Sequence, residues 1–163
     1  MTKKIVYLAL FTALVTVFTM FPSISLPLGG YVNLGDTVLT CAVLCMGALG
    51  VIPAAIGSAL SDLFLGYTVY APATLVIKAI MGVLLWVVLR KGKQGYFRFL
   101  LAVAVAECWM VIGYLLYEGM LYGFAVAAGN ILFNGLQAAV TVAVAPLLCR
   151  IFQRMPFFKW PKE

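Results

Sequence analysis

Ionisable and amide side chains inside otherwise apolar stretches are the residues of this chain that could do chemistry. Lys78 and Glu107 each lie within such a stretch. Asn130, Asn134 and Gln137 follow at i, i+4 and i+7, a spacing that places three amides on one helix face. Ionisable groups are costly inside a membrane and by default indicate a functional site. Together these groups predict a pocket for a small, flat, polar molecule.

Catalytic constellations are missing from the sequence. The chain has no histidine, no GxSxG motif, and no nucleophile beside a base. The segment from Lys91 to Gly95 lacks the GxxxxGK[ST] order of a phosphate-binding loop. Its four cysteines form no CxxC pair and are interpreted as small apolar packing residues. We therefore expect no enzymatic activity, no metal and no cofactor, and any active transport would need an ion gradient or a partner.

The composition places these residues in a membrane protein. The chain of 163 residues is 65% hydrophobic and 10% charged, whereas a soluble domain is roughly 45–50% apolar and about 25% charged. The net charge is +6, but we do not expect nucleic acid as a partner. Apart from Lys78, the basic residues form three clusters that flank apolar stretches, which is the positive-inside pattern: 3–4, 90–98 and 150–162.

The same clusters decide how many helices we expect. The segment 37–61 contains no charge and could be one helix or a hairpin of two short ones that turns near the segment from Gly47 to Pro53. Only the hairpin puts all three basic clusters on one side of the membrane. The sequence therefore predicts an all-α bundle of six transmembrane helices in a single domain, 1–163, with both termini cytoplasmic. The expected helices are 5–21, 37–50, 52–65, 71–89, 97–117 and 124–152.

Structural roles compete with ligand contact for several of these side chains. Lys78 could form an ion pair with Asp62 or Glu107, or contact the substrate. Asn130 could join two helices, as buried amides do in membranes. Glu118 falls in the expected outer loop 117–123 and is interpreted as solvated. Tyr114 shares a helix face with Glu107 and is expected to line the pocket.

The longest expected outer loop, 22–36, contains the sequence GGYVNLGDT from Gly29 to Thr37. Gly29 and Gly30 are interpreted as a hinge, since glycine adopts backbone angles that other residues resist. Tyr31 and Asn33 are the loop residues expected to touch a ligand. Asp36 is expected to cap the next helix rather than to contact the ligand.

Four segments resemble a known family. They are Ala9-x-x-x-Ala13, Tyr31-Val-Asn-Leu-Gly-Asp36, Gly57-Ser-Ala-Leu-Ser-Asp62-Leu and Thr74-Leu-Val-Ile-Lys78-Ala-Ile-Met-Gly82. The chain resembles the substrate-binding S component of an energy-coupling factor (ECF) vitamin transporter, in the branch of the riboflavin, hydroxymethylpyrimidine and pyridoxine S components. The resemblance runs to about Arg154.

The resemblance implies a high-affinity capture subunit of an ATP-driven importer, in the plasma membrane of a bacterium. It implies a vitamin pocket near the outer face, under a lid formed by the loop between helices one and two. It also implies docking through Ala9 and Ala13 onto an ECF transmembrane coupling subunit that binds two ATPase subunits. Two amides, a glutamate and tyrosines favour pyridoxine or hydroxymethylpyrimidine, with riboflavin as a larger candidate. The alternatives are a small scaffold protein of a cell-envelope complex without a pocket, and a stand-alone secondary transporter.

Overall fold

The fold is an all-α membrane bundle. The computed structural model describes residues 2–25, 31–91 and 95–154. Its helices are α1 (Thr2–Met20), α2 (Gly35–Met46), α3 (Val51–Phe64), α4 (Ala71–Arg90), α5 (Tyr96–Tyr122) and α6 (Phe124–Arg154). Five apolar helical stretches in this part of the chain can cross a membrane by length and composition, and the 30 residues from Gly35 to Phe64 count as one of them.

The stretch from Gly35 to Phe64 is a helical hairpin. A 3₁₀ turn at Gly47–Gly50 separates α2 from α3, and Gly47 has a φ of 61°, which suits glycine. A Cβ on Gly50 would collide with the carbonyl oxygen of Ala42, so the chain folds back tightly on itself. Pro53 lies in the first turn of α3, where its missing N–H costs nothing. The turn falls where the sequence predicted it.

Helix α2 occupies the interior of the bundle. Its neighbours are α1, α3, α4 and α6, and ten of its twelve residues are buried. By contrast, only 22% of the apolar stretch of α1, and the same share of that of α6, is buried inside the bundle. Lipid would contact much of the remaining surface of these two helices. Because buried and lipid-facing helices are both apolar, composition alone could not single out α2 as the central helix.

The connection between α1 and α2 contains a small β-hairpin that the sequence analysis did not predict. Strand β1 (Ile24–Ser25) pairs with β2 (Tyr31–Val32) in antiparallel register, with Ile24 opposite Val32. Gly29 and Gly30, the expected hinge, lie outside the described residues. The hairpin brings Tyr31 back over the ends of the helices.

The expected loop between the last two helices is wrong. Residues 117–122 continue α5, and only Gly123, with a φ of 89°, separates α5 from α6. The N–H of Gly123 donates to the carbonyl oxygen of Gly119 at 3.1 Å, a bond that closes the last turn of the helix. The longer helix places Glu118 on the face of α5 that also carries Tyr114.

Charges are separated along the bundle. We call the end where α1, α3 and α5 finish and α2, α4 and α6 begin the pocket end, and the opposite end the basic end. Among the described residues, every lysine and arginine except Lys78 lies towards the basic end: Lys3, Lys4, Arg90, Lys91, Arg98, Arg150 and Arg154. The four described carboxylates are buried instead: Asp36, Asp62, Glu107 and Glu118.

Candidate binding pocket

A polar cavity lies at the pocket end, between the helices and the β-hairpin. Its volume, counted as the space open to the centres of water molecules, is ≈ 30 Å³. This is enough for one or two waters. A larger molecule can enter only if lining side chains move. Twelve residues line it: Thr19, Tyr31, Asn33, Ser58, Asp62, Tyr70, Thr74, Lys78, Tyr114, Glu118, Asn134 and Gln137.

Lys78 forms its ion pair with Asp36, and not with Asp62 or Glu107, the two partners expected from the sequence. The ammonium donates to Asp36 Oδ1, and both side chains are at most 4% exposed. Gln137 Nε2 donates to the other carboxylate oxygen. The Lys78 Nζ atom also lies 5.6 Å from the centre of the Tyr114 ring, within cation–π range. This arrangement joins α2, α4 and α6 beneath the cavity.

The expected helix cap at Asp36 is wrong. Helix α2 begins at Gly35, Leu34 occupies the N-cap position, and no side chain caps it there. Asp36 lies inside the first turn, and its carboxylate faces Lys78 and Gln137. Asn33 supplies the hydrogen-bond acceptor at the start of the helix instead, since its Oδ1 accepts a 2.8 Å hydrogen bond from the N–H of Gly35.

Two hydrogen bonds fix the second strand and the residue after it over the cavity. The Tyr31 hydroxyl donates to Asp62 Oδ1 at 2.6 Å. The backbone N–H of Asn33 donates to Gln137 Oε1 at 2.9 Å. Burial, together with the nearby Asp62 carboxylate, raises the pKa of Tyr31, so the phenol remains a donor at neutral pH. The segment between the strands and α2 therefore closes onto α3 and α6.

Glu118 is buried, whereas the sequence predicted a solvated side chain. Only 2% of it is exposed. Asn130 Nδ2 donates to Glu118 Oε2 at 3.0 Å, and the Tyr70 hydroxyl donates to Oε1 at 3.5 Å. Asn130 therefore joins α6 to α5, as in the helix-joining alternative, and it supports the cavity through Glu118 without being one of the lining residues.

Glu107 lies outside the cavity. It is 1% exposed and lines a separate, largely apolar groove between α5 and α6, together with Gly135 and Ala138. Neither of its carboxylate oxygens has a hydrogen-bond partner among the described residues, although Thr141 is close enough to act on its charge. Seven residues were predicted to contact the ligand, and the structure brings all of them except Glu107 and Asn130 together around the cavity: Tyr31, Asn33, Lys78, Tyr114 and Asn134.

A cluster of tyrosine rings lies beside the cavity, and two of its members, Tyr31 and Tyr70, line it. The ring centroids of Tyr31 and Tyr67 are 5.1 Å apart, and those of Tyr67 and Tyr70 are 6.1 Å apart. Tyr70 also meets Tyr117 edge-on at 5.6 Å. These distances lie in the range of favourable aromatic pairs. The Tyr114 hydroxyl, deeper in the cavity, is 3.0 Å from the Thr74 hydroxyl.

Several lining residues were not among the predicted ligand contacts. Thr19 looks like an ordinary helix-packing residue, and the sequence contains no signal that separates it from others. Helical spacing could have identified most of the others: Tyr70, Thr74 and Lys78 repeat every four residues, as do Ser58 with Asp62 and Tyr114 with Glu118.

Comparison with known proteins shows which family this chain belongs to. The fold and the pocket define a multi-pass membrane protein with a polar cavity at one end. The family model of the ECF-type riboflavin transporter S component matches residues 1–154. The chain belongs to this family of vitamin-uptake transport subunits. Membership implies association with ECF membrane-coupling and ATPase components, and a vitamin ligand.

One relative shows how far the similarity extends. The chain is 37% identical over 130 residues to the "Uncharacterized protein in gap 3'region" of Pyrococcus woesei. The aligned part covers 78% of this chain and 85% of the relative. The two proteins are therefore similar over most of their lengths.

Proposed function

We propose that this chain captures a small nitrogen-heterocyclic vitamin or vitamin precursor for an ATP-driven ECF importer. The observation that carries the proposal is the cavity at the pocket end, where polar side chains from five helices converge under tyrosine rings. A scaffold protein needs no such cavity. The family description favours riboflavin, whereas pyridoxine and hydroxymethylpyrimidine are smaller and would require less movement of the lining side chains.

We propose different roles for the residues that line the cavity and for those behind its wall. Tyr31, Asn33, Tyr114 and Asn134 are the proposed ligand contacts, because each lines the cavity and carries a hydrogen-bonding group. Lys78 lines the cavity too, but its bond to Asp36 makes it first of all a structural cation.

The second group lies behind the cavity wall. Asn130 and Glu107 are proposed to shape the site from there, Asn130 through its bond to Glu118 and Glu107 from the side of the α5–α6 groove. We propose that a ligand enters when the segment around Tyr31 and Asn33 lifts away from Asp62 and Gln137.

The proposed topology has six transmembrane helices with both termini in the cytoplasm of a bacterial cell. The separation of charges supports it, since the basic end would face the cytoplasm. The pocket end would then face outward and meet the vitamin first. α2 and α3, at 12 and 14 residues, would be about 18–21 Å long at the usual helical rise. Each is shorter than the roughly 30 Å hydrocarbon core, so they would cross the membrane only as buried parts of the bundle.

Docking onto the coupling subunit is proposed to use the outward face of α1. Ala9 and Ala13 are exposed and stand one turn apart, with the exposed side chains of Val6, Leu10 and Val17 around them. Two small residues four apart let a partner helix approach closely. The coupling subunit, with its two ATPase subunits, would supply the energy for release.

A ligand screen on the purified full-length protein tests the capture function. We expect one vitamin or precursor among pyridoxine, hydroxymethylpyrimidine, riboflavin and their relatives to raise the melting temperature without any nucleotide present. Binding that occurs only together with the ATPases, or no shift with any B vitamin or precursor, would contradict the proposal and favour the scaffold alternative.

A further inference from the structure

The buried charges inside the bundle do not balance. Asp36, Asp62, Glu107 and Glu118 are each at most 2% exposed, and Lys78 is the only buried basic side chain in the described part of the chain. Lys78 is already bound to Asp36. Carboxylates removed from water are costly unless a cation or several hydrogen-bond donors compensate them. No buried basic side chain in the described part of the chain is therefore left to compensate the other three acids.

Two of these three acids face the cavity. Asp62 and Glu118 both line it. Tyr31 donates to Asp62 Oδ1, but Asp62 Oδ2 is buried and has no hydrogen-bond partner among the described residues. Glu118 receives uncharged donors, from Asn130 and Tyr70. An entering molecule therefore meets two acidic side chains, neither of which forms a salt bridge within the described part of the chain.

The aromatic walls suit the same kind of ligand. Tyr31 and Tyr70 line the cavity beside the two acids, and the Tyr67 ring links them at 5.1 and 6.1 Å. The faces of aromatic rings attract cations, and cages of such rings bind quaternary ammonium groups. Tyr114 already has the Lys78 ammonium at 5.6 Å from its ring centre. A flat cationic ring between these tyrosines would gain stacking and charge attraction together.

We propose that the cavity selects a nitrogen heterocycle that carries a positive charge, with the charged ring held against Asp62 and Glu118. This inference rests on the proposed capture function and narrows its substrate class. The two acids also exclude anions, because a negatively charged group would meet unneutralised carboxylates. Lys78 offers an anion little, since Asp36 already occupies its ammonium.

Thiamine and hydroxymethylpyrimidine are suitable probes, because thiamine is this pyrimidine ring joined to a cationic thiazolium ring. Dissociation constants for both, and for riboflavin as a neutral probe, would be measured by calorimetry on the full-length protein in lipid nanodiscs. We expect thiamine to bind at least tenfold more tightly than hydroxymethylpyrimidine. Asp62→Asn, which removes the charge and keeps the shape, is expected to reduce this ratio at least tenfold. Cys108→Ser, at an exposed position on α5, should leave it unchanged.

The possible outcomes distinguish a failure of the charge selection from a failure of the capture function. Equal binding of thiamine and hydroxymethylpyrimidine, or tighter binding of a neutral vitamin, would overturn the charge selection and leave the capture function standing. A ratio that Asp62→Asn does not change would also overturn it. If none of the probes or the other B vitamins binds, the capture function fails and the charge selection fails with it. Glu118→Gln provides a second test if Asp62→Asn does not fold, and the same fall in the ratio is expected.

Discussion

Lys78 on α4 is bound to Asp36 on α2, and this buried ion pair lies directly under the cavity. Removing one partner of a buried pair leaves an uncompensated charge and costs about 3–5 kcal/mol. We therefore expect Lys78→Met and Asp36→Asn each to lower the free energy of unfolding strongly. The double variant should lose clearly less than the sum of the two losses.

Thermal and chemical unfolding of the four proteins in one detergent would give this double-mutant cycle. Lys91→Met, at an exposed lysine of the basic end, is the matched control and should change stability by less than about 0.5 kcal/mol. Additive losses in the cycle would mean that Lys78 and Asp36 do not depend on each other.

The bond between Tyr31 and Asp62 should hold a captured ligand in the pocket. Tyr31→Phe keeps the ring and removes the hydroxyl that donates to Asp62 at 2.6 Å. Since a hydrogen bond to a charged group contributes about 1.5–3 kcal/mol, we expect ligand dissociation to become faster by roughly tenfold or more. Stopped-flow fluorescence with the vitamin found in the screen would measure the rate.

Tyr67→Phe is the matched control for the Tyr31 variant. Within the described ranges its hydroxyl bonds only to Ser25 Oγ, at 3.2 Å and in an exposed position, so we expect the dissociation rate to change less than twofold. Equal rates for Tyr31→Phe and the unaltered protein would show that this bond does not control opening.

Several features of the site could be predicted from the sequence because they depend on spacing along one helix. The i, i+4 and i+7 rule placed Asn134 and Gln137 on one face of α6, and both line the cavity. The hairpin of α2 and α3 was expected from the basic clusters along the chain, because only a hairpin places them all on one side of the membrane. Such local patterns need no knowledge of how one helix packs against another.

Features that depend on packing between helices could not be read in the same way. The partner of Lys78 could be any acid that neighbouring helices bring near it, and the contact of α2 with α4 brings Asp36 to it rather than Asp62 or Glu107. Glu118 was misplaced for a different reason. The apolar pattern of α5 continues past the usual membrane length to Tyr122, so its last turns were taken for a loop.

Close packing of α1 against α3 at Gly57 makes a third prediction. A Cβ at this position would lie 2.8 Å from Val15 Cβ and 2.9 Å from the carbonyl oxygen of Thr12. The hydroxyl of Thr16 also donates to the Gly57 carbonyl oxygen at 3.0 Å. Because overpacking costs about 1–3 kcal/mol, Gly57→Val should lower the melting temperature clearly.

Gly135→Val is the matched control for this contact. Gly135 also lies within a helix, but an added Cβ there would meet no atom within 4 Å. We expect its melting temperature to stay close to that of the unaltered protein. Equal melting temperatures for the two variants would contradict the close α1–α3 contact.

The last prediction concerns the exposed small-residue face of α1. A bulky side chain at Ala9 would prevent a partner helix from approaching, but it lies far from the cavity and is exposed. We therefore expect Ala9→Trp to bind the vitamin with an unchanged dissociation constant and to lose most uptake in cells that express the coupling and ATPase subunits. Ala128→Trp, at an exposed alanine near the start of α6, should retain both. Normal uptake with Ala9→Trp would show that docking uses another surface, because tryptophan could not fit into a contact that requires two small residues one turn apart.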